Sequence, residues 1–139
     1  MRWTDTQLSY FAGIIDGEGC FNIGCRGKKT YTLRLFVMNT SKPLIDYLHT
    51  NFGGWKYSRQ RENKKWKIRH EWFVDRQVID EILPLIHPFL IVKKEACEVA
   101  MDFRKTFPKV RTYHKIPDEV LCIREDCHHR MQILNKKGP

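Results

Sequence analysis

The sequence predicts an α+β fold in which helices cover one face of a four-stranded antiparallel sheet. Two observations support this prediction. Apolar residues at helical spacing alternate along the chain with stretches in which every second residue is apolar, and the order helix, hairpin, helix, hairpin precedes the remaining helices. The chain of 139 residues, 42% hydrophobic and 29% charged, has the size and composition of one globular domain.

The first unit of the pattern is a helix followed by a hairpin. Residues 5–16 have apolar side chains at helical spacing, after a capping residue and before a glycine-rich segment. Residues 20–25 and 31–37 alternate between apolar and polar, and the segment 27–29 is typical of a turn. We expect the odd-numbered positions, Cys25 included, to face the helices.

The second unit repeats this order. Ser41, followed by a proline in the first turn, predicts the start of a helix that ends before two glycines. Strands are predicted over 55–61 and 65–74, with a polar turn between them. The pattern leaves open which side of the first strand faces outward: Trp55, Tyr57 and Arg59, or Lys56, Ser58 and Gln60.

Helices are predicted to complete the chain. Asp75 is a capping residue for a helix over 76–86, whose end Pro84 and Pro88 are expected to break or bend. A further helix is expected from about residue 92 to residue 107. We therefore predict a core over 1–107 and a basic C-terminal extension over 108–139, helical and packed on the core or on a ligand.

Charge is the most informative property of the composition. Lys and Arg number 25 against 16 Asp and Glu, a net charge of +9 with a pI near 9.5. The excess falls in three stretches (19–45, 55–76 and 104–139), which favours a polyanionic ligand. A membrane surface also fits the charge, and a generally basic domain without a dedicated ligand is the plainer alternative.

Other features of the composition narrow the setting. The longest apolar runs are too short to predict a membrane span, and residues 1–10 do not have the pattern of a signal peptide. Five cysteines, an odd number without a secreted framework, favour a reducing intracellular environment.

The predicted outer face of the sheet is polar and basic. A two-stranded ribbon fits the DNA major groove, and two hairpins would extend that contact. Double-stranded DNA is therefore the expected partner, although exposed strand faces are often lysine-rich simply to prevent aggregation. The candidate DNA-binding residues are Asn22, Gly24, Arg26, Lys28, Lys29, Thr32, Arg34, Arg59, Arg61, Lys67 and Arg69.

Small residues stand four apart in the first helix. Gly13 and Gly17 lie on one face, which would let a second helix approach closely. Since the chain has one such segment, the partner would be a second copy, and a two-fold homodimer is predicted. Asp16 and Glu18 sit at the helix end, where two copies of Glu18 would meet. Paired carboxylates beside a cationic sheet suit divalent metal and phosphodiester cleavage, whereas capping is the commoner role of such residues.

The segment over 11–19, FAGIIDGEG, resembles the LAGLIDADG signature of homing endonucleases. It matches the signature at Ala12, Gly13, Ile15, Asp16 and Gly19, and Gly17 keeps a small residue at the seventh position. Together with the element order and the basic sheet, the resemblance covers about residues 5–107. It implies an αββαββα core with a curved, saddle-shaped DNA-binding sheet, and a dimer interface of Phe11, Ala12, Gly13, Asp16 and Gly17.

The resemblance also implies roles for particular residues. Glu18 and the backbone carbonyl of Gly17 would bind Mg²⁺, or Mn²⁺ or Ca²⁺ in the same site, and Asp16 would be structural. Asn39 would order the hydrolytic water. Lys93 would lie near the scissile phosphate, with Lys94 as the alternative. The implied reaction is metal-dependent cleavage of a long pseudo-palindromic DNA site, with each copy cutting one strand and leaving 3′ overhangs.

The C-terminal extension raises a separate question about zinc. Cys122, Cys127, His128 and His129, with His114 upstream, do not have the spacing of a standard finger, so structural zinc is disfavoured. A helix here would instead place Cys127 in the core, on an apolar stripe that also includes Ile123, Met131 and Leu134.

Other functions fit parts of the pattern. An RNA maturase or a cleavage-inactive DNA-binding protein would use the same scaffold, so RNA stays an alternative ligand. The Gly13 and Gly17 helix followed by Glu18 argues against a generic basic interaction domain. An HNH-type nuclease built from His128, His129 and Asn135 is disfavoured, because no strand pair precedes them.

Overall fold

A computed structural model describes residues 2–60, 62–109 and 115–136 of the chain. Helix α1 spans Asp5–Glu18, followed by strands β1 (Gly19–Arg26) and β2 (Thr30–Asn39). Helix α2 (Lys42–Phe52) leads to β3 (Trp55–Arg59) and β4 (Arg69–Phe73). Three helices complete the described chain: α3 (Arg76–Ile86), α4 (Lys94–Arg104) and α5 (Asp118–Asn135).

The four strands form one antiparallel sheet in the order β1-β2-β4-β3. The α+β class and the single four-stranded sheet are therefore confirmed. Helices α1, α2, α4 and α5 contact the sheet, and α3 packs on α1 and α4. The buried core lies between these helices and one face of the sheet, and it includes Phe11, Phe21, Leu35 and Trp72.

Helix boundaries follow from local chemistry. Helix α1 begins at a capping box, in which the Thr4 hydroxyl accepts from the Gln7 N–H and the Gln7 side chain accepts from the Thr4 N–H. Pro84 does not break α3, which continues to Ile86. Pro88 lies in the first turn of a short 3-10 helix over His87–Phe89, where its missing N–H costs little.

The turn before β3 requires glycine. Gly54 has a φ of 83°, and a Cβ there would lie 2.1 Å from the carbonyl oxygen of Phe73. The Trp72 indole donates to the Gly53 carbonyl at 2.7 Å, which closes the turn onto the core.

The second hairpin is shorter than predicted. Strand β4 begins at Arg69, so Lys67, predicted at an outward strand position, instead lies exposed in the connection between β3 and β4. Cys25 is exposed rather than core-facing, since the burial of alternate residues of β1 stops at Ile23 and the last two residues of the strand are both exposed.

Helix α5 lies against the outer edge of β1. Its His128 Nδ1 donates to the Ile23 carbonyl, and its Asn135 amide donates to the Phe21 carbonyl. Cys127 and Met131 are buried in the core. Ile123 and Leu134 are exposed, so the predicted apolar stripe is wrong for these two residues. In its place Arg124 is buried, donating to the Thr106 hydroxyl and carbonyl.

None of the helices in the described ranges is both long and apolar enough to span a membrane.

Candidate functional site

The end of α1 presents a free carboxylate. The helix continues through Gly17 to Glu18, two residues beyond the predicted end. Glu18 is exposed, and among the described residues its carboxylate has no hydrogen bond or ion pair. Strand β1 leaves the helix closely, since a Cβ on Gly19 would lie 2.7 Å from the Cα of Ile15. Only glycine permits this approach, which fixes Glu18 at the junction of helix and sheet.

Asp16 connects this junction to the start of α4. Its carboxylate accepts the backbone N–H groups of Ile91, Val92 and Lys93 at 2.8, 3.1 and 2.9 Å. A carboxylate with three such donors is strongly held, because hydrogen bonds to charged groups are stronger than neutral ones. Asp16 therefore holds the 91–93 segment against the end of α1.

Lys93 turns back toward the same helix. Its ammonium donates to the main-chain oxygen of Asp16 at 3.0 Å, one of the last-turn carbonyls that lack a helical partner. Burial raises the pKa of the Cys20 thiol, and the positive charge of Lys93 opposes that shift. The ammonium is thus within electrostatic reach of Cys20, on the outer face of β1. Lys94, by contrast, is an exposed first residue of α4.

Asn39 ends β2, where it pairs with His70 of β4. Val37, two residues earlier, pairs with Gly19, the residue that follows α1. Its side-chain oxygen accepts the Ser41 N–H at 2.8 Å and so shapes the start of α2. Within the described part of the chain, its amide nitrogen makes no hydrogen bond, which leaves a donor for water.

One copy of the chain supplies few metal ligands here. The described ranges contain no group of three or more His, Cys, Asp or Glu placed to hold an ion. The oxygen donors at the junction are the Glu18 carboxylate and the carbonyls of the last turn of α1. In the C-terminal segment, Cys122 and His129 are exposed and Cys127 is buried, while His114 lies outside the described residues.

The outward side of α1 is open. A Cβ on either Gly13 or Gly17 would meet nothing within 4 Å, and Tyr10 beside them is exposed. Phe11 and Ala12 were predicted at an interface between copies, and for them that assignment is wrong. Both are 0% exposed in the core of their own chain, where the Phe11 ring stacks on Phe52.

The sheet has an outer face that no described helix covers. In β1 and β2, Asn22 pairs with Arg34, and Gly24 pairs with Thr32. These residues alternate with the core-facing positions, as predicted. The tip of the hairpin adds exposed basic residues at Arg26, Lys28 and Lys29, whereas Arg61 lies outside the described residues.

The register of β3 decides which of its sides faces outward. Trp55 pairs with Phe73, which lies on the opposite side of β4 from the core residue Trp72. Lys56 forms an ion pair with Asp46 of α2 at 3.0 Å, so it is on the helical side. Trp55, Tyr57 and Arg59 therefore share the outer face with Arg34.

A buried carboxylate on the outer face was not anticipated. Arg59 and Arg69 stand directly opposite each other, and Glu71, 5% exposed, contacts them at 3.9 and 3.4 Å. Like charges facing each other across strands repel, and Glu71 offsets that repulsion. Alternation from Arg69, already expected to face outward, would have revealed Glu71 and Phe73 on the same side.

The sequence matches no protein-family model, and a comparison with curated proteins gives no match. Solved structures of homing endonucleases have the same fold. The chain is 19% identical to the homing endonuclease I-CvuI, solved in complex with its target in the presence of calcium, with a TM-score of 0.73 over 96% of this chain and 85% of that one. It is 15% identical to the archaeal intron-encoded I-Vdi141I complexed with DNA, with a TM-score of 0.76 over 97% and 87%.

A longer homing endonuclease is also similar. The chain is 14% identical to the meganuclease I-SmaMI bound to uncleaveable DNA, with a TM-score of 0.60. The match covers 95% of this chain but 45% of I-SmaMI. The αββαββα order of the described elements is thus a homing-endonuclease fold.

Proposed function

We propose that this protein is a site-specific double-strand DNA endonuclease of the LAGLIDADG homing-endonuclease type. The observation that carries the proposal is the junction of α1 with β1 and α4. There Glu18 is free while Asp16 and Lys93 are bound to each other. The fold, the signature over 11–19 and the DNA complexes of the similar structures support the same conclusion.

The residues at the junction suit a hard divalent cation. Mg²⁺ prefers oxygen ligands and retains several waters, so a carboxylate and a carbonyl are suitable protein donors. Glu18 and the Gly17 carbonyl would hold the ion, and Mn²⁺ or Ca²⁺ would suit the same donors. When bound, such an ion supplies Lewis acidity and lowers the pKa of water. Remaining ligands would come from water, DNA phosphate and the second copy.

The side chains around this position have distinct roles in the proposal. Lys93 stabilises the negative charge that develops on the scissile phosphate, since its ammonium is held at the end of α1. Asn39 orients the attacking water through its unbound amide nitrogen. Asp16 positions Lys93 by fixing the backbone of 91–93 and is not itself a reacting group.

We propose that two copies act together through the open side of α1. The glycines there present no side chain, and the exposed surface has no partner among the described residues. Each copy would then cut one strand of a long pseudo-palindromic site, leaving 3′ overhangs.

The outer face of the sheet would bind the DNA. Its basic and polar side chains lie on two adjoining hairpins, a ribbon geometry that fits the major groove. The proposed contact residues with described positions are Asn22, Gly24, Arg26, Lys28, Lys29, Thr32, Arg34, Arg59, Lys67 and Arg69.

The test is cleavage of a randomised duplex library in Mg²⁺ by the wild-type protein and by Glu18→Gln. We expect the wild type alone to cut, at one enriched near-palindromic sequence with 3′ overhangs. Glu18→Gln should retain the same duplex, since the change is isosteric and lies at the end of a helix. Binding without cutting by either protein would replace this proposal with a binding-only role. Enrichment of no duplex would redirect the search to structured RNA.

A further inference from the structure

The outer face of the sheet has an apolar end. Phe36 and Phe73 face each other across β2 and β4, with ring centroids 5.5 Å apart. Tyr57 packs its edge on Phe73 at 6.0 Å, and Trp55 is the cross-strand partner of Phe73. These four residues form one patch across three strands, which we call the aromatic cluster.

The aromatic cluster is not part of the protein core. The neighbours of these residues along each strand, such as Leu35, Val37 and Trp72, fill the core from the other face. Trp55 is 65% exposed and Tyr57 is 52% exposed. Isolated exposed apolar residues are normal, but a contiguous exposed patch indicates a binding surface.

The surroundings of the aromatic cluster are cationic. A groove of about 580 Å³ beside it is lined by Trp55, Tyr57 and Phe73 together with Arg34 and Arg76. The Asp75 carboxylate also lines the groove, but it accepts the Gln77 N–H as the cap of α3. On the far side of the cluster, Arg59 and Arg69 share the buried Glu71. An apolar patch flanked by cations would be complementary to a DNA groove, in which an apolar base substituent lies between two phosphate backbones.

We propose that the aromatic cluster contacts the 5-methyl groups of thymines in the major groove. This inference rests on the function proposed above. The 5-methyl group of thymine is the apolar feature that the major groove presents, and aromatic side chains contact it without a hydrogen bond. Phe36 and Phe73 have no polar side-chain atoms, so they read neither donors nor acceptors. We therefore expect the part of the target site that contacts the aromatic cluster to be rich in thymine.

Uracil substitution tests this inference directly, because it removes the methyl group and leaves every base-pairing hydrogen bond intact. The probe is the duplex selected from the randomised library, remade with each thymine replaced singly by uracil. We expect a short run of sensitive positions in each half-site, with binding about fourfold weaker for each methyl lost, since burying one such group contributes ~0.8 kcal/mol.

Variants assign the effect to the aromatic cluster. Trp55→Ala and Tyr57→Ala remove exposed side chains, so both should fold and bind. In these variants the same uracil substitutions should have little further effect. The matched control is Ile133→Ala, an equally exposed apolar residue on α5, which should keep full sensitivity. Thermal unfolding of each variant provides the check on folding.

The outcomes separate this inference from the proposed function. Binding that is indifferent to uracil at every position, in a duplex that is still cut, overturns the inference and leaves the endonuclease intact. Sensitivity that persists unchanged in both aromatic variants also overturns it, because another surface then reads the methyl groups. Failure to enrich any duplex overturns the proposed function and this inference together. Tighter binding of single-stranded RNA than of any duplex, lost in Tyr57→Ala, would identify the cluster as a stacking platform instead.

Discussion

The Lys93 ammonium lies 3.0 Å from the main-chain oxygen of Asp16, while the carboxylate of Asp16 holds the Lys93 N–H at 2.9 Å. The two residues are 77 positions apart in sequence and are joined by two hydrogen bonds, in each of which the side chain of one contacts the backbone of the other. Helix α1 therefore sets the position of Lys93, because Asp16 in the signature segment fixes the backbone of residues 91–93.

Removing the Asp16 carboxylate should lower the stability of the fold. Asp16→Asn removes the negative charge and keeps one acceptor oxygen in place of two, so at least one of the three N–H donors loses its acceptor and the others keep only a neutral one. We expect a loss of about 1–3 kcal/mol in the free energy of unfolding, measured by urea denaturation. Asp126→Asn is the control, because that exposed carboxylate makes only a 4.0 Å contact with Arg130. Equal losses in the two variants would contradict a special role for Asp16.

The two adjacent lysines should behave differently in catalysis. Lys93→Met removes the ammonium at the end of α1, and we expect single-turnover cleavage to slow roughly 100-fold or more, as for other charge-stabilising groups. Lys94→Met keeps a side chain of the same length at an exposed position, and its rate should stay within about threefold of wild type. A reversed order would make Lys94 the residue nearest the phosphate. Binding of the duplex, measured separately, distinguishes slower chemistry from weaker affinity.

Self-association should depend on the open side of α1. Gly13→Arg places a large charged side chain where a Cβ meets nothing within 4 Å, so the single chain should fold at least as stably as wild type. We expect sedimentation to show the variant as a monomer and the wild type as a dimer. Thr50→Arg, on an exposed position of α2, should leave the dimer intact. A Gly13→Arg protein that still sediments as a dimer would require another interface.

The orientation of β3 predicts different effects on DNA binding for two basic residues of that strand. Arg59→Ala removes a cation from the outer face, and we expect the dependence of log K on log salt to become shallower by about one unit. Lys56→Ala removes a cation that pairs with Asp46 on the helical side, so the salt dependence of binding should not change. Fluorescence anisotropy over a salt series measures both slopes. The reverse result would mean that the strand presents its other side to DNA.

The same ion pair predicts a pH effect in the free protein. Hydrogen bonds from Lys42 and Lys56 lower the pKa of Asp46 to about 2, from an ordinary value of 3.8. Because the folded-state pKa is lowered, its stabilising effect is complete above about pH 4 and is lost as the pH falls through 2. Carboxyl-carbon NMR measures the titration directly. In Lys56→Ala the midpoint should move upward, and an unchanged midpoint would leave Lys42 as the sole cause.

Periodicity was sufficient to predict most of the fold. Apolar spacing predicted α3 over the observed Arg76–Ile86, and alternation predicted the facing of Phe21, Ile23, Asn22 and Arg34. Such patterns succeed because a helix or strand with one buried face must repeat apolar residues at its own period. The capping residues and glycines then fixed the boundaries to within a few residues.

Other features depend on tertiary contacts, which no local pattern contains. Phe11 belongs to the signature segment, yet its burial against Phe52 depends on how α2 packs on α1. The facing of β3 could not be predicted, because all five of its residues are exposed and neither side is apolar enough to identify the core. The short β4 and the loop position of Lys67 likewise depend on where β3 stops pairing.

Helix α5 covers the unpaired edge of β1, the outermost strand on one side of the sheet. Strand β1 is at one end of the sheet, and a bare end presents unpaired carbonyls to any other extended chain. The side chains of His128 and Asn135 donate hydrogen bonds to two of those carbonyls. Truncation before residue 108 would therefore leave a hairpin that recruits further strands, and the shortened protein should form β-rich aggregates. In this way the C-terminal helix protects the sheet from polymerising with that of another copy.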